Sequence, residues 1–379
     1  MDFSLNDMEW PIKVAFLVYF MAFAIQILYW LLIYSRIIFY KPFPSKIRKK
    51  PVSVIICARN EEENLRKNLP LILTQKYPDF EVIVINDCST DDTEDYLDEL
   101  KEQYPALKIT KIKEDRKFKH GKKLAVTIGI KAANHEFLLF TDADCRPESD
   151  LWINHMMRNL SPEISIVLGY GGYSENKGLL NTLVRFETFY IAIQFFSYAL
   201  TGFPYMGVGR NLAYRKSLFF DNKGFARHSH LISGDDDLFV NEVANRNNTR
   251  IEISPESHTR SESKKTWKEW YFQKKRHLTT GPDYKILTKF LLSLEVLSQI
   301  IFYAGFIFLL VTAISEWIAV IIPFLIRLGI FITIFKIMGS RLNEKHLLVP
   351  SLLFDLFLPL FNVFILSSNY VEARRNRWK

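Results

Sequence analysis

Cysteine is scarce in this chain: Cys57, Cys88 and Cys145 are the whole set among 379 residues. No two are spaced as CxxC, and each falls within or at the end of a short apolar run that reads as a buried strand. This argues against a disulfide framework or a structural zinc site, and a reducing, cytosolic setting fits. Charge is also missing from long stretches. Ionisable residues are sparse from Val14 to Tyr34 and from Phe290 to Phe335, yet dense from Lys46 to Lys289. The hydrophobic fraction of 49% is ordinary for a globular protein, so the distribution carries the information: one soluble domain set between apolar ends. The amino terminus lacks the basic start of a cleavable signal and carries Asp2, Asp7 and Glu9 instead.

The net charge of +8 is gathered at KIRKK (Lys46 to Lys50), at KKTWKEWYFQKKRH (Lys264 to His277) and at RRNRWK (Arg374 to Lys379). Each cluster flanks an apolar run. That is the pattern of the positive-inside rule, so the basic residues are read as membrane topology and not as a nucleic-acid surface. The run VAFLVYFMAFAIQILYWLLIY reaches the ~20 residues of a spanning helix. The change of sign across it puts the amino terminus outside and the central domain in the cytosol. KKTWKEWYFQKKRHLT, with Trp267, Trp270, Tyr271 and His277 among lysines, reads as an amphipathic interfacial helix. Three apolar stretches follow, near Phe290 to Ala313, Trp317 to Ile337 and Leu347 to Leu366. If all three span, the basic tail ends outside. Either one stretch is interfacial or re-entrant, or the rule is broken.

From Pro51 short apolar strands alternate with helical stretches: PVSVIIC, NEEENLRKNLPLILTQ, FEVIVIN, DDTEDYLDELKEQY, LKITKIK. This argues βαβ units and a mostly parallel, doubly wound α/β sheet, in which ligands bind beyond the carboxyl ends of the strands. Candidate ligand-binding segments do follow the strands, at Ala58 to Glu61, at Asn86 and Asp87, and at Asp142 to Asp144. In TDADC, two aspartates one residue apart end a buried strand, where their charge is costly unless a cation compensates it. Hard carboxylate oxygens suit Mg²⁺ or Mn²⁺, ions that take phosphate oxygens as further ligands. The bland alternative is an aspartate-rich turn.

The succession PVSVIICARNEEENL, VIVINDCSTDDT, HGKKLAVTIGI, FLLFTDADC, SGDDDLF and QKKRH, from about Pro51 to Pro282, resembles the family 2 glycosyltransferases of GT-A fold. The resemblance implies a donor site for a nucleotide-diphosphate sugar, a UDP-sugar first, with Ala58, Arg59, Glu61 and Asp87 at the nucleoside and Lys122 near the phosphates. It implies metal binding by Asp144 and Asp142, with Asp144 the more direct ligand and Asp142 reaching the ribose or donor sugar. Aligned on Leu238, Asp235 stands where the family has its general base, Asp236 is the second candidate, and Gly234 replaces the usual Glu. Such a base implies inverting, in-line transfer. QKKRH resembles the QxxRW motif, giving Gln273 and Arg276 donor-side roles, with His277 in place of Trp. GVGRNLAYRKSLF resembles the acceptor-side loop, so Gly209 and Arg210, with Trp270 and His277, are the acceptor candidates.

Four segments are expected: residues 1–45 as membrane helix and linker, 46–263 as the transferase domain, 264–289 as the interfacial helix, and 290–379 as membrane helices and basic tail. The leading expectation is sugar transfer to a lipid-linked or glycan acceptor at the cytosolic face of a bacterial inner membrane. A processive synthase that exports its product and a non-catalytic scaffold are the competing classes.

Overall fold

The computed structural model describes residues 9–42, 50–113, 121–231 and 233–377, with 369–377 as backbone only. Apart from Lys50 and the backbone of 374–377, the basic clusters expected at 46–50 and 374–379 lie outside these residues, as does His120 of the HGKK stretch. In chain order the helices are α1 Trp10–Leu28, α2 Arg36–Phe39, α3 Glu62–Leu73, α4 Thr93–Gln103, α5 Lys122–Ala132, α6 Trp152–Met157, α7 Leu179–Leu200, α8 Lys216–Asp221, α9 Asp237–Val243, α10 Trp267–His277, α11 Ile286–Thr312, α12 Trp317–Arg341 and α13 Leu348–Arg377. The strands are β1 Val52–Ala58, β2 Phe80–Asp87, β3 Leu107–Ile112, β4 Phe137–Asp142, β5 Cys145–Pro147, β6 Ile166–Gly169, β7 Gly171–Tyr173, β8 Leu212–Arg215, β9 Thr249–Glu252 and β10 Thr259–Ser261.

The chain divides into two compact units, one of residues 41–284 and 341–343, the other of 1–40, 285–340 and 344–379. The first is built on a seven-stranded sheet ordered β3-β2-β1-β4-β8-β6-β9. Strands β3, β2, β1 and β4 run parallel, β8 is antiparallel to both its neighbours, and β9 is parallel to β6. The continuous apolar runs of β1 and β4 suit central positions covered on both faces. The leucines of α3 (Leu65, Leu69) and Ile72 pack with Val54, Val84 and Leu139 in the core beneath. A small sheet, β5-β10-β7, stands beside it.

Two features of this sheet prepare a site. The chain goes from β1 outward to β2 and β3, then returns to the other side of β1 for β4, so the order reverses there. In register, Cys57 pairs with Ile85 and with Asp142, and Ala58 with Asn86, which brings the carboxyl ends of three strands to one edge. Helix α5 lies close on the same strands because of Gly129. A Cβ there would come 2.6 Å from Ile85 and 2.8 Å from Ile55.

Among the described residues, four helical stretches are long and apolar enough to cross a membrane: Trp10–Phe39, Ile286–Thr312, Ile314–Arg341 and Leu348–Ser368. All three C-terminal apolar runs are therefore helices of spanning length. Within the second unit Tyr19 stacks on Phe302 at 5.0 Å, and Tyr29 donates to the Leu291 carbonyl at 2.7 Å.

Candidate active site

The loop after β1 turns at Asn60, whose φ is 55°. It is pinned to the loop after β2: the Asn60 N–H donates to Ser89 at 2.9 Å, and the Glu61 N–H to Thr93 at 3.1 Å. Glu61 accepts from Asn64 at 2.6 Å. Burial pushes its carboxyl above the ordinary glutamate value, with Asp144 adding to the effect. Asp87 is buried at the end of β2. Ala58 ends β1, and Arg59 is exposed beside it.

Asp142 ends β4, and Lys122 opens α5. The Lys122 Nζ stands 2.7 Å from Asp142 Oδ1 and 3.4 Å from Asp235 Oδ2. Burial works against the Lys122 charge, but Asp142, Asp235 and Asp236 outweigh it and hold the ammonium well above the usual lysine range. Burial likewise opposes the charge of Asp142, and Lys122, Arg210 and Arg276 overcome it to lower that carboxyl. Asp144 goes the other way: burial first and the Asp142 charge second raise it. Asp142 is thus already paired with a cation, and Asp144 is the member of the pair left short of positive charge.

Ligand atoms of Asp142, Asp144 and Cys145 all lie within 4.8 Å of one another. Burial holds the Cys145 thiol far above its ordinary range, so it stays protonated and offers no thiolate. The donor set is then two hard carboxylates, which fits Mg²⁺ or Mn²⁺ and not a soft metal.

The three aspartates of GDDD do three different things. Asp235 has an 11% exposed side chain and faces Lys122. Burial lifts its carboxyl above the usual value, Lys122 pulls it down, and Asp236 and Asp142 add to the rise. Asp236 caps α9, accepting from the Asp237 N–H at 2.8 Å, and its other oxygen accepts the Gly209 N–H at 2.7 Å. Asp237 points toward Thr280 and Tyr284, whose hydroxyls donate to it at 2.6 and 2.8 Å. Burial pushes it up to about 7, with Asp236 contributing. Gly234 precedes them with φ of 97°, and a Cβ there would come 2.5 Å from Leu238. A glutamate cannot occupy that backbone without strain.

Arg210 lays its guanidinium on the Tyr173 ring at 4.3 Å and acts on both Asp142 and Asp144. The Tyr173 hydroxyl also accepts from Gln273 at 3.2 Å. Tyr173 thus joins two expected site residues, and no motif pointed to it; the only trace is its place directly after Gly171 and Gly172. Arg276 and His277, in the last turn of α10, are exposed. Trp270 is different. It is 6% exposed and donates its indole N–H to Glu187 of α7 at 3.3 Å. Lys274, one turn on, pairs with the same carboxylate. Trp270, expected on the acceptor side, lies on the face of α10 that docks with Lys274 on α7. A capping box, Thr266 with Glu269, starts that helix.

A cleft of about 340 Å³, part of it open to solvent, is lined by Lys122, Asp142, Gly209, Asp235 and Asp236 over an apolar floor of Ile55, Phe140, Leu212 and Tyr214. It lies where the strand order reverses. There an acid pair ending a central parallel strand faces a second acid cluster across Lys122. The mannosyltransferase PcManGT from Pyrobaculum calidifontis, solved in complex with GDP-Man and Mn²⁺, shares the fold with a TM-score of 0.58 at 17% identity, over 91% of this chain and 99% of that one.

The profile of Glycosyl transferase family group 2 matches residues 141–338, more than half of the chain, and that of Glycosyl transferase family 2 matches 53–220. A Bacillus subtilis (strain 168) protein named Probable glycosyltransferase YdaM is 24% identical over 86% of this chain and 84% of its own length. A poly-beta-1,6-N-acetyl-D-glucosamine synthase of Staphylococcus epidermidis is 31% identical, over 42% of this chain and 40% of the synthase. The chain belongs to the family 2 glycosyltransferases, enzymes that transfer a sugar to an acceptor.

Proposed function

We propose that the chain moves a sugar from a nucleotide-diphosphate donor, a UDP-sugar first, to a hydroxyl of a lipid-linked or glycan acceptor, with inversion at the transferred carbon. The observation that carries this reading is the bridge from Asp142 through Lys122 to Asp235, which sets a phosphate-side acid pair opposite a partly shielded carboxylate. Asp144 with Asp142 would hold a divalent cation, Mg²⁺ or Mn²⁺, which neutralises the leaving diphosphate when bound. Lys122 and Arg276 add fixed positive charge for the diphosphate. Ala58, Arg59, Glu61 and Asp87 border the nucleoside, and Gln273, Gly209 and Arg210 the sugar and acceptor. Asp235 takes the proton of the acceptor hydroxyl as the new glycosidic bond forms and the bond to the diphosphate breaks. Its raised pKa brings it nearer the operating pH than an ordinary aspartate. Asp236 is occupied by the α9 cap and the Gly209 N–H, which favours Asp235 as the base.

The four apolar helices support anchoring in a bilayer, with the sheet-bearing unit on the cytosolic side of an inner membrane and α10 near its surface. The test is a thermal-shift screen of the full chain in detergent against UDP-, GDP- and dTDP-sugars with Mg²⁺ and Mn²⁺. Asp144→Asn is expected to lose the metal-dependent shift. Asp235→Asn is expected to keep it and lose transfer. Unchanged binding in the first variant sinks the metal assignment, and retained turnover in the second moves the base to Asp236.

A further inference from the structure

The loop that carries Asp235 is bracketed by two contacts to one other segment. Before it, the Ser233 hydroxyl donates to the Arg276 carbonyl at 3.3 Å and lies 3.3 Å from the Thr279 hydroxyl. After it, Asp237 receives Thr280 and Tyr284 on a single oxygen, at 2.6 and 2.8 Å, while its other oxygen takes the Leu238 N–H at 2.7 Å. Thr280 is 2% exposed, and the Tyr284 ring rests against Tyr205 at 5.9 Å. Tyr205 is itself tied to α9, since its carbonyl accepts from Asn241 at 2.9 Å. The stretch from Arg276 to Tyr284 is therefore fastened to the start of α9 on both sides of the base.

A carboxyl placed this deep costs free energy that a loop anchored by apolar contacts would not incur. It is retained where it meets two hydroxyls at once. We propose that Asp237 is a positioning residue: it fixes the segment bearing Arg276 to the loop bearing Asp235, so that the diphosphate cation and the base keep one spacing. The inference rests on the function proposed above and adds a residue to it. Asp237 touches no reacting atom; it acts through Arg276. Its acceptor geometry tolerates Asn, because an amide can take the Leu238 N–H on its oxygen and donate to the two hydroxyls, with Thr280 turning its proton to the His277 carbonyl 2.9 Å away.

The experiment is a double-mutant cycle on sugar transfer by the full chain in detergent, with donor KM and kcat measured separately. Asp237→Ala is expected to raise donor KM and lower kcat/KM by on the order of tenfold, and Asp237→Asn to restore most of it. In an Arg276→Ala background, Asp237→Ala is expected to cost less than about threefold more, because its effect has already been removed. Thr280→Val with Tyr284→Phe keeps the acid, removes its partners, and should reproduce Asp237→Ala even if the latter folds poorly. Losses that multiply in the double variant overturn the inference and leave the function standing. An Arg276→Ala enzyme with unaltered kinetics overturns the role of Arg276 and the inference together.

Discussion

Lys122 stands 2.7 Å from Asp142, and the same ammonium reaches Asp235 at 3.4 Å, so one cation serves both the acid pair of β4 and the acid loop before α9. Removing it leaves several carboxylates crowded about one cleft and deprives the donor phosphates of a fixed charge. Lys122→Met is expected to lower kcat/KM on the order of a hundredfold, the usual cost of a lost charge-stabilising group. Most of the loss should fall on donor binding, read by the thermal shift with nucleotide sugar. Wild-type kinetics in this variant would remove Lys122 from the site.

Gly234 makes the base loop possible. At φ of 97° a side chain is strained, and a Cβ would overlap Leu238 at 2.5 Å. Gly234→Ala is expected to destabilise by about 1–3 kcal/mol from the backbone alone, with a lower melting temperature and lower transfer together. A variant as stable as the parent would mean that this backbone accepts a side chain without strain.

That position also marks how far the sequence could be read. The alternation of β1, β2 and β4 with α3, α4 and α5 was legible because apolar runs of both-face-buried strands stand out between amphipathic stretches, and with it the edge at which Asp87 and Asp142 gather. Lys122 and Asp235 followed from their order in the chain. The antiparallel β8 was not legible: Leu212–Arg215 is four residues long and lies inside the stretch read as an acceptor loop. Nor were the partners of the successive aspartates legible, since they lie 27 to 47 positions away, Gly209 for Asp236 and Thr280 and Tyr284 for Asp237. The burial of Trp270 was not legible for the same reason: its indole partner, Glu187 on α7, lies 83 positions earlier.

His258 supplies a stability test against pH. It is fully buried with its ring edge-on to Tyr170 at 5.1 Å, and its Nε2 lies 3.2 Å from the Ile253 carbonyl, so that nitrogen carries the proton and donates. Burial, with Arg260 contributing, lowers its pKa to about 3. The unfolded chain therefore binds this proton first as pH falls. The stability from keeping the ring neutral is complete above ~6.5 and declines toward about 3, by on the order of a few kcal/mol across the window. His258→Gln should flatten that part of the melting-temperature profile. An unchanged slope would place the acid sensitivity elsewhere.

In the apolar unit Arg327 and Asp355 form a buried ion pair at 2.7 Å. Arg327 also donates to Gln26 at 3.1 Å and to Tyr303 at 2.8 Å, while Asp355 accepts from Gln299 at 2.7 Å and from Tyr303. One pair thereby draws on α1, α11, α12 and α13. Both side chains are 2% exposed, so the charges have no water to fall back on. Breaking such a pair from one side leaves an uncompensated buried charge, whereas removing both sides does not. Asp355→Leu is expected to destabilise the helical unit by about 3–5 kcal/mol, seen as a lower melting temperature of the full chain in detergent. Arg327→Leu combined with Asp355→Leu should recover much of that loss. If the double variant melts lower than either single one, the pair is contributing net stability beyond mutual neutralisation, and the helices depend on it directly.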